Sequence, residues 1–248
     1  MRDHAAYCTL LESEVDRLAE ALATADPQAL VPGCEDWTAL DLAQHIGLIH
    51  RWTIRIVETA ATDRVPFRDV PVEFPAEWAD YPAWVAEGGL RLVAALRDVD
   101  GDAPVWTWGP DHRMLFWSRR QFHETLVHRA DAEGAGGKSP YFDPGDAADA
   151  IDEFLTNIPY GRNSGPLIAA LTAGTLHLHA TDAEGEWTVT FGGPGGYAWE
   201  RGHVKGDAAV RGPLSDLLLY TFGRQDDATL EVFGDRTILD AWLRASRF

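Results

Sequence analysis

The first 135 residues place apolar side chains at three- and four-residue intervals, a spacing typical of amphipathic helices. We predict four helices, at about residues 6–24, 38–61, 82–97 and 114–133. Thr38, followed three residues later by Asp41, predicts a capping box at the start of the second helix, and glycines from Gly134 onward end the fourth. Helices joined by proline-containing loops of this length predict a four-helix bundle, in which ligand sites lie between facing helices.

The pattern changes near residue 141 to short apolar runs separated by Gly- and Asp-containing turns, as in strands. We predict a helix at 146–157, strands at 175–180, 187–191, 197–201, 208–211 and 229–233, and helices at 215–222 and 237–243. The glycines of 192–196 predict a hairpin turn, because the Lys-Ser/Thr pair and the following helix of a phosphate loop are missing. We therefore expect two domains, a four-helix bundle at residues 1–140 and a smaller α+β domain with a mainly antiparallel sheet at residues 141–248.

Composition limits the partners and the compartment. Of the 248 residues 46% are apolar, which is enough to fill a core and excludes disorder. A formal net charge of -18 disfavours nucleic acid and anionic membrane surfaces as partners. The two cysteines, Cys8 and Cys34, are too few for a disulfide framework, and no apolar run reaches the ~18 residues of a membrane helix. We therefore expect a cytoplasmic protein with inert, reduced thiols.

The segment from His123 to His128 resembles a zinc-protease motif but is one residue too long. On a helix these two histidines lie ~140° apart, so they cannot share a metal ion. Glu124 and His128 are four residues apart and project from one face, where a carboxylate oxygen and an imidazole nitrogen can converge on an ion. The best-placed third ligand is His45, in the middle of the second predicted helix, whereas His50 lies ~140° round from it.

Two imidazoles and one carboxylate suit Zn²⁺, and three protein ligands leave a fourth position for water or substrate, as in a catalytic zinc site. The spacing also fits a second interpretation, in which Glu124 and His128 are a solvated helical pair and His45 is a hydrogen-bonded bundle histidine. On spacing alone, both interpretations remain open.

A second group of histidines lies in the C-terminal half. His177 and His179 alternate on one face of a predicted strand, and His203 is a candidate third ligand. No carboxylate or cysteine at metal spacing accompanies them along the chain, so we expect an ordinary polar pair. Asp41, four residues before His45, could orient that histidine, but its place opposite Thr38 favours a role in the helix cap.

Several stretches carry a family resemblance. The segments CEDWTALDLAQH at 34–45 and HETLVHRADAE at 123–133 closely resemble the mycothiol-dependent maleylpyruvate isomerase family of actinobacteria. In the C-terminal half, TLHLHATD at 175–182, RGPLSDLLL at 211–219 and VFGD at 232–235 resemble the second domain of that family. The similarity covers nearly the whole chain, and the two-part metal motif is its most specific element.

The resemblance implies a DinB-like, metal-binding four-helix bundle followed by a sterol-carrier-like α+β domain. The family's zinc ligands correspond to His45, Glu124 and His128. The resemblance also implies mycothiol as the thiol cosubstrate, bound to zinc as a thiolate that attacks a small, unsaturated, carboxylate-bearing electrophile. In an isomerase the thiolate adds to a cis double bond, rotation follows and elimination returns the trans isomer. If the thiol stays attached, the outcome is S-transfer.

The family also uses an arginine of its second domain, and Arg224 is our match for it. A guanidinium there could pair with a carboxylate of the substrate or the thiol, although Arg211 and Arg201 are rivals. Two alternatives to the thiol enzyme stay open. One is a zinc hydrolase using metal-bound hydroxide, and the other is a non-catalytic small-molecule-binding protein.

Overall fold

The computed structural model describes residues 1–34, 36–193 and 196–247. Contacts within the chain define two compact units, residues 1–140 and 141–248, and each is described by itself.

The first unit is built from four long helices. They are α1 (His4–Thr24), α2 (Ala39–Glu58), α3 (Tyr81–Arg97) and α4 (Met114–Ala135). Neighbouring helices around the bundle are α1 and α4, α4 and α2, α2 and α3, and α3 and α1. This arrangement confirms the predicted four-helix bundle. In this arrangement α2, which carries His45, lies beside α4, which carries Glu124 and His128.

The ends of α2 follow from local chemistry. The Thr38 hydroxyl accepts a hydrogen bond from the Asp41 backbone N–H, and the Asp41 carboxylate accepts one from Thr38 N–H, so the predicted capping box is present. Asp41 therefore serves the cap, and the hydrogen bond holds its pKa below the usual value. The helix ends at Glu58, earlier than the expected end near residue 61, and Ala60 adopts a positive φ of 42°.

The core of the bundle is apolar and closely packed. Leu18 and Leu22 of α1 meet Leu42 and Ile46 of α2 and Val85 of α3, all with no exposed surface. These residues recur at three- and four-residue steps, so one stripe of each helix faces inward as the sequence predicts. His45 directly precedes the buried Ile46, so the core packing of Ile46 fixes the direction of its neighbour.

The second unit is a mixed sheet covered by helices. The strands are β1 (Gly174–Ala180), β2 (Glu186–Phe191), β3 (Tyr197–Arg201), β4 (Ala208–Gly212) and β5 (Glu231–Gly234), in the order β3-β2-β1-β4-β5. Three of the four strand pairs are antiparallel, and the β1–β4 pair is parallel. The helices are α5 (Pro144–Asn157), α6 (Ser164–Ala169), α7 (Leu214–Thr221) and α8 (Arg236–Ser246). The α+β class is confirmed, with a mainly antiparallel sheet.

Some elements escape the sequence pattern because they are too short to show a period. They are α6 and three single 3₁₀ turns, Phe67–Asp69, Trp78–Asp80 and Ile158–Tyr160. The predicted hairpin turn at 192–196 includes Pro194 and Gly195, which lie outside the described residues. Among the described helices, none is long and apolar enough to cross a membrane.

Candidate metal centre

Three side chains from two neighbouring helices meet at one point in the bundle. His45 on α2 places Nε2 3.4 Å from Glu124 Oε1, and His128 on α4 places its Nε2 3.2 Å from the same oxygen. One ligand atom from each residue lies within 4.8 Å of the other two. The structure thus brings together the three residues that the spacing selects.

The buried carboxylate of Asp131 orients His128. His128 Nδ1–H donates to Asp131 Oδ2 at 2.8 Å, which leaves Nε2 facing Glu124. Cys34 Sγ donates to the same Asp131 oxygen at 3.9 Å. A carboxylate behind a histidine fixes the tautomer and the ring orientation of a metal ligand. This arrangement is suited to an imidazole that coordinates a metal ion through Nε2.

Arg120 orients the central carboxylate. Its Nη2 donates to Glu124 Oε2 at 2.8 Å, one helical turn before Glu124 on α4. One oxygen of Glu124 is therefore engaged by the guanidinium, while Oε1 faces the two imidazoles. Arg120, Glu124 and His128 form one stripe of α4 at four-residue spacing.

The charges of the site follow from these contacts. Burial acts to raise the pKa of Glu124, but Arg120 and the hydrogen bonds from His128 and His45 outweigh it and hold the pKa well below its usual value. Burial acts to lower the pKa of His128, but Asp131 and Glu124 outweigh it and raise the pKa. An ionised Glu124 beside two imidazoles favours a cation at their common point.

The point is accessible from one side. The His45 side chain is 32% exposed and the His128 side chain only 6%, so solvent reaches the site beside His45. Trp37 lines this entrance, with its ring centroid 4.9 Å from that of His45 and stacked on His128 at 6.4 Å. A small molecule that approached the site would pass an aromatic surface.

Other polar residues of the bundle do not join this group. His50 is fully buried, its Nε2 lies 3.0 Å from Thr125 Oγ1, and burial lowers its pKa to about 3. His123 is also fully buried and packs against the Phe122 ring, apart from the three converging side chains. Burial raises the pKa of Cys8 to about 11, as expected of an inert thiol.

Three residues of the site, Asp131, Arg120 and Trp37, were not predicted from the sequence. A signal for two of them exists on α4, since Asp131 follows His128 by three residues and Arg120 precedes Glu124 by four. Trp37 lies before the cap of α2, and no helical period marks its position.

Arg224 lies in the second unit, just beyond α7. It is buried, its backbone N–H donates to Leu219 O at 2.8 Å and its Nη1 to Phe222 O at 3.4 Å. The two rivals also make contacts within that unit. Arg201 Nη2 pairs with Asp152 at 2.8 Å, and Arg211 Nη1 pairs with Glu231 at 2.8 Å.

The second histidine group differs from the expectation. Glu186 lies directly across the β1–β2 ladder from His179, so a carboxylate does accompany His177, His179 and His203. The expectation that none does is wrong, because strand pairing joins residues that are distant along the chain.

Comparisons with known proteins agree with this architecture. The fold and the site define a class of two-domain candidate metalloprotein. Its helical bundle carries a group of two histidines and one glutamate, and an α+β unit follows along the chain. The family model of the mycothiol maleylpyruvate isomerase N-terminal domain matches residues 8–133, and that of the family's C-terminal domain matches residues 146–241. The chain belongs to the mycothiol-dependent maleylpyruvate isomerase family.

Two solved structures have a similar fold. Both are crystal structures of mycothiol-dependent maleylpyruvate isomerase, one of them a histidine-to-alanine mutant. Each aligns with a TM-score of 0.56 over 93% of this chain and 93% of that chain, at 14% sequence identity. No curated protein gives a significant sequence match.

Proposed function

We propose that this chain is a zinc-dependent enzyme that uses mycothiol as a nucleophile, acting as an isomerase or an S-transferase on a small, unsaturated, carboxylate-bearing electrophile. Membership of the family supports mycothiol and the isomerase class. The observation that carries the zinc assignment is the convergence of His45, Glu124 and His128.

The donor set fits zinc in chemistry and in spacing. Tetrahedral zinc with bonds of about 2.0–2.1 Å separates its ligand atoms by about 3.4 Å. The two nitrogen-to-oxygen distances at Glu124 Oε1, 3.4 and 3.2 Å, are close to that value. Three protein ligands leave one position for an exogenous group, on the side where His45 is exposed.

Bound zinc would lower the pKa of a coordinated thiol and so supply a thiolate at neutral pH. The chain's own residues prepare the place for it. Asp131 holds His128 in the tautomer that presents Nε2, and Arg120 holds Glu124 with Oε1 free for the cation. Trp37 provides an apolar wall at the entrance, which favours an organic thiol over bulk water.

We propose that Arg224 binds a carboxylate of the substrate or of the thiol. Its guanidinium carries a permanent charge that matches a carboxylate bidentately.

The test combines metal analysis with turnover. Protein purified without chelator is expected to contain zinc and to isomerise maleylpyruvate only when mycothiol is present. His128→Ala should lose one equivalent of zinc and the thiol-dependent turnover. The matched control is His112→Gln, which removes an exposed histidine of the same unit outside the site and should change neither.

Two results would contradict the proposal. Turnover that continues unchanged in thiol-free buffer would favour the hydrolase that uses metal-bound hydroxide. An unchanged zinc content in His128→Ala would remove the assignment of the three ligands. Product analysis separates isomerisation from S-transfer, because only S-transfer consumes one mycothiol per turnover.

A further inference from the structure

A second cluster of metal-ligating side chains lies on the sheet of the C-terminal unit. Along β1, Leu176 and Leu178 point into the core and have no exposed surface, while His177 and His179 point to the opposite face. Glu186 at the start of β2 pairs directly with His179. His203 follows β3, where Gly202 N–H donates to Glu186 O at 3.1 Å and holds the loop against β2.

The four side chains converge on one point. Glu186 Oε2 lies 3.4 Å from His177 Nε2 and 2.8 Å from His203 Nδ1, and Glu186 Oε1 lies 3.3 Å from His179 Nδ1. One ligand atom from each of the four lies within 4.8 Å of all the others. The spacings of 3.3 and 3.4 Å, one to each oxygen of Glu186, are close to the ~3.4 Å that separates ligand atoms around tetrahedral zinc. The 2.8 Å spacing to His203 is shorter and is that of a direct hydrogen bond.

The three imidazole rings are mutually crossed. Their planes make angles of 78°, 89° and 85°, with centroids 5.0–6.1 Å apart. Edge-to-face contact is an ordinary arrangement of packed aromatic rings, and it is also compatible with each imidazole turning one nitrogen towards the point that the four side chains share.

His177 supplies an independent observation. The residue is only 5% exposed, and its Nε2 forms no well-aligned hydrogen bond with a described residue, because its contact with Glu186 Oε2 is long at 3.4 Å. A buried polar atom that is poorly satisfied costs free energy, about 1–3 kcal/mol where no hydrogen bond forms at all. Coordination of a cation between that nitrogen and the carboxylate would satisfy both groups.

We propose that His177, His179, Glu186 and His203 form a second zinc site, distinct from the candidate centre in the helical bundle. Imidazole nitrogens with one carboxylate suit Zn²⁺ rather than Mg²⁺ or Ca²⁺, which prefer oxygen ligands. Four protein ligands complete a tetrahedral shell and leave no open position, so this site is structural. It joins the loop that carries His203 to the neighbouring strands β1 and β2.

Metal stoichiometry tests the proposal on the full-length chain. At buffered free zinc of about 10 µM, where a structural site should be saturated, the wild type is expected to bind two equivalents. The variant His179→Asn/His203→Asn should bind one and should keep the zinc-dependent activity. His128→Ala, in which the bundle centre is disabled, should also bind one.

Folding does not confound this test. The side chains of His179 and His203 are 28% and 71% exposed, so their replacement leaves the core intact. With chelator present, the double variant should unfold at the wild-type temperature. Adding zinc should raise the unfolding temperature of the wild type more than that of the His179→Asn/His203→Asn variant. In the same way, zinc should stabilise His128→Ala more than the triple variant that also lacks His179 and His203.

Glu200→Gln provides the matched control. Glu200 lies on the same sheet face, opposite Thr188 in the β2–β3 ladder, and its loss should leave two equivalents bound. Equal stoichiometry in the wild type and the histidine double variant would overturn the proposal. Failure of His128→Ala to take up any zinc would also overturn it. When Mg²⁺ is added to the metal-free wild type in place of zinc, the unfolding temperature should not change.

Discussion

Replacing Asp131 by Asn is expected to weaken zinc binding at the bundle centre without unfolding the protein. The substitution keeps the size of the side chain, and the amide oxygen can still accept from His128 Nδ1–H, but the negative charge behind the imidazole is lost. The hydrogen bond is 2.8 Å long and both residues are buried, with exposed fractions of 5% for His128 and 3% for Asp131. The negative charge is therefore lost in an environment that screens charge poorly.

The magnitude follows from the type of bond. A hydrogen bond to a charged group contributes about 1.5–3 kcal/mol and one between neutral groups about 0.5–1.5 kcal/mol, so Asp131→Asn loses a difference of about 1–1.5 kcal/mol. Since about 1.4 kcal/mol is tenfold in affinity, the expected loss is about tenfold, at the lower end of the 10- to 100-fold range typical for partners behind a metal-binding histidine. Asp131→Ala, which also leaves Nδ1 without an acceptor, should be at the upper end of this range.

Competition with a chromophoric chelator at neutral pH measures the affinity directly. Glu133→Gln is the matched control, because it removes another carboxylate of α4 that pairs with Arg129 at 2.7 Å and touches none of the three ligands. Zinc binding by Asp131→Asn within twofold of the wild type would refute the role given to this carboxylate. Equal weakening of zinc binding by Glu133→Gln and Asp131→Asn would refute it as well.

Three further predictions concern charge. Arg224→Lys should raise the KM for the carboxylate-bearing substrate about tenfold, because an ammonium cannot form the bidentate pair, and should leave the zinc content unchanged. A constant KM in steady-state kinetics would contradict this role. His50 has a pKa of about 3 in the folded state against 6.5 ordinarily, so its contribution to stability is present above pH 6.5 and is lost as the pH falls towards 3. Urea unfolding at pH 7 and pH 5 should show that the wild type loses about 2 kcal/mol more than His50→Gln, and equal losses would exclude His50 as the cause. Arg129→Met should cost about 2 kcal/mol, because the buried Glu14 loses the 2.8 Å hydrogen bond to Oε2 and keeps only that from Arg17 to Oε1. Arg129→Met/Glu14→Leu should recover part of that loss in denaturant titrations, whereas additive losses would argue against a coupled pair.

The helical half of the molecule could be predicted because its signals are local. The period of apolar residues gives α1 to α4, and the Thr38–Asp41 box gives the start of α2. The choice of His45 over His50 also follows from helix geometry, since residues five apart face different directions. Placing His45 beside Glu124 requires in addition that α2 and α4 be neighbours, which helix period does not determine and the family resemblance implies.

The parts that could not be predicted depend on contacts distant along the chain. Glu186 reaches His179 through the register of two strands, and strand register cannot be read from a single run of alternating residues. Trp37 lies over the two histidines because the loop before α2 folds back, with Val31 N–H donating to Trp37 O at 2.9 Å. Neither relationship has a fixed spacing in the sequence.

The successive residues His128 and Arg129 project from different sides of α4, about 100° apart. One meets the candidate metal ligands, and the other is anchored to Glu14 of α1. A substitution that breaks the Arg129–Glu14 ion pair would loosen the same helical turn that orients His128. Substitutions along α4 could therefore abolish turnover either by destabilising the helix or by removing a metal ligand, and turnover alone would not separate the two causes. Assigning roles in this helix therefore requires metal affinity and unfolding to be measured on every variant.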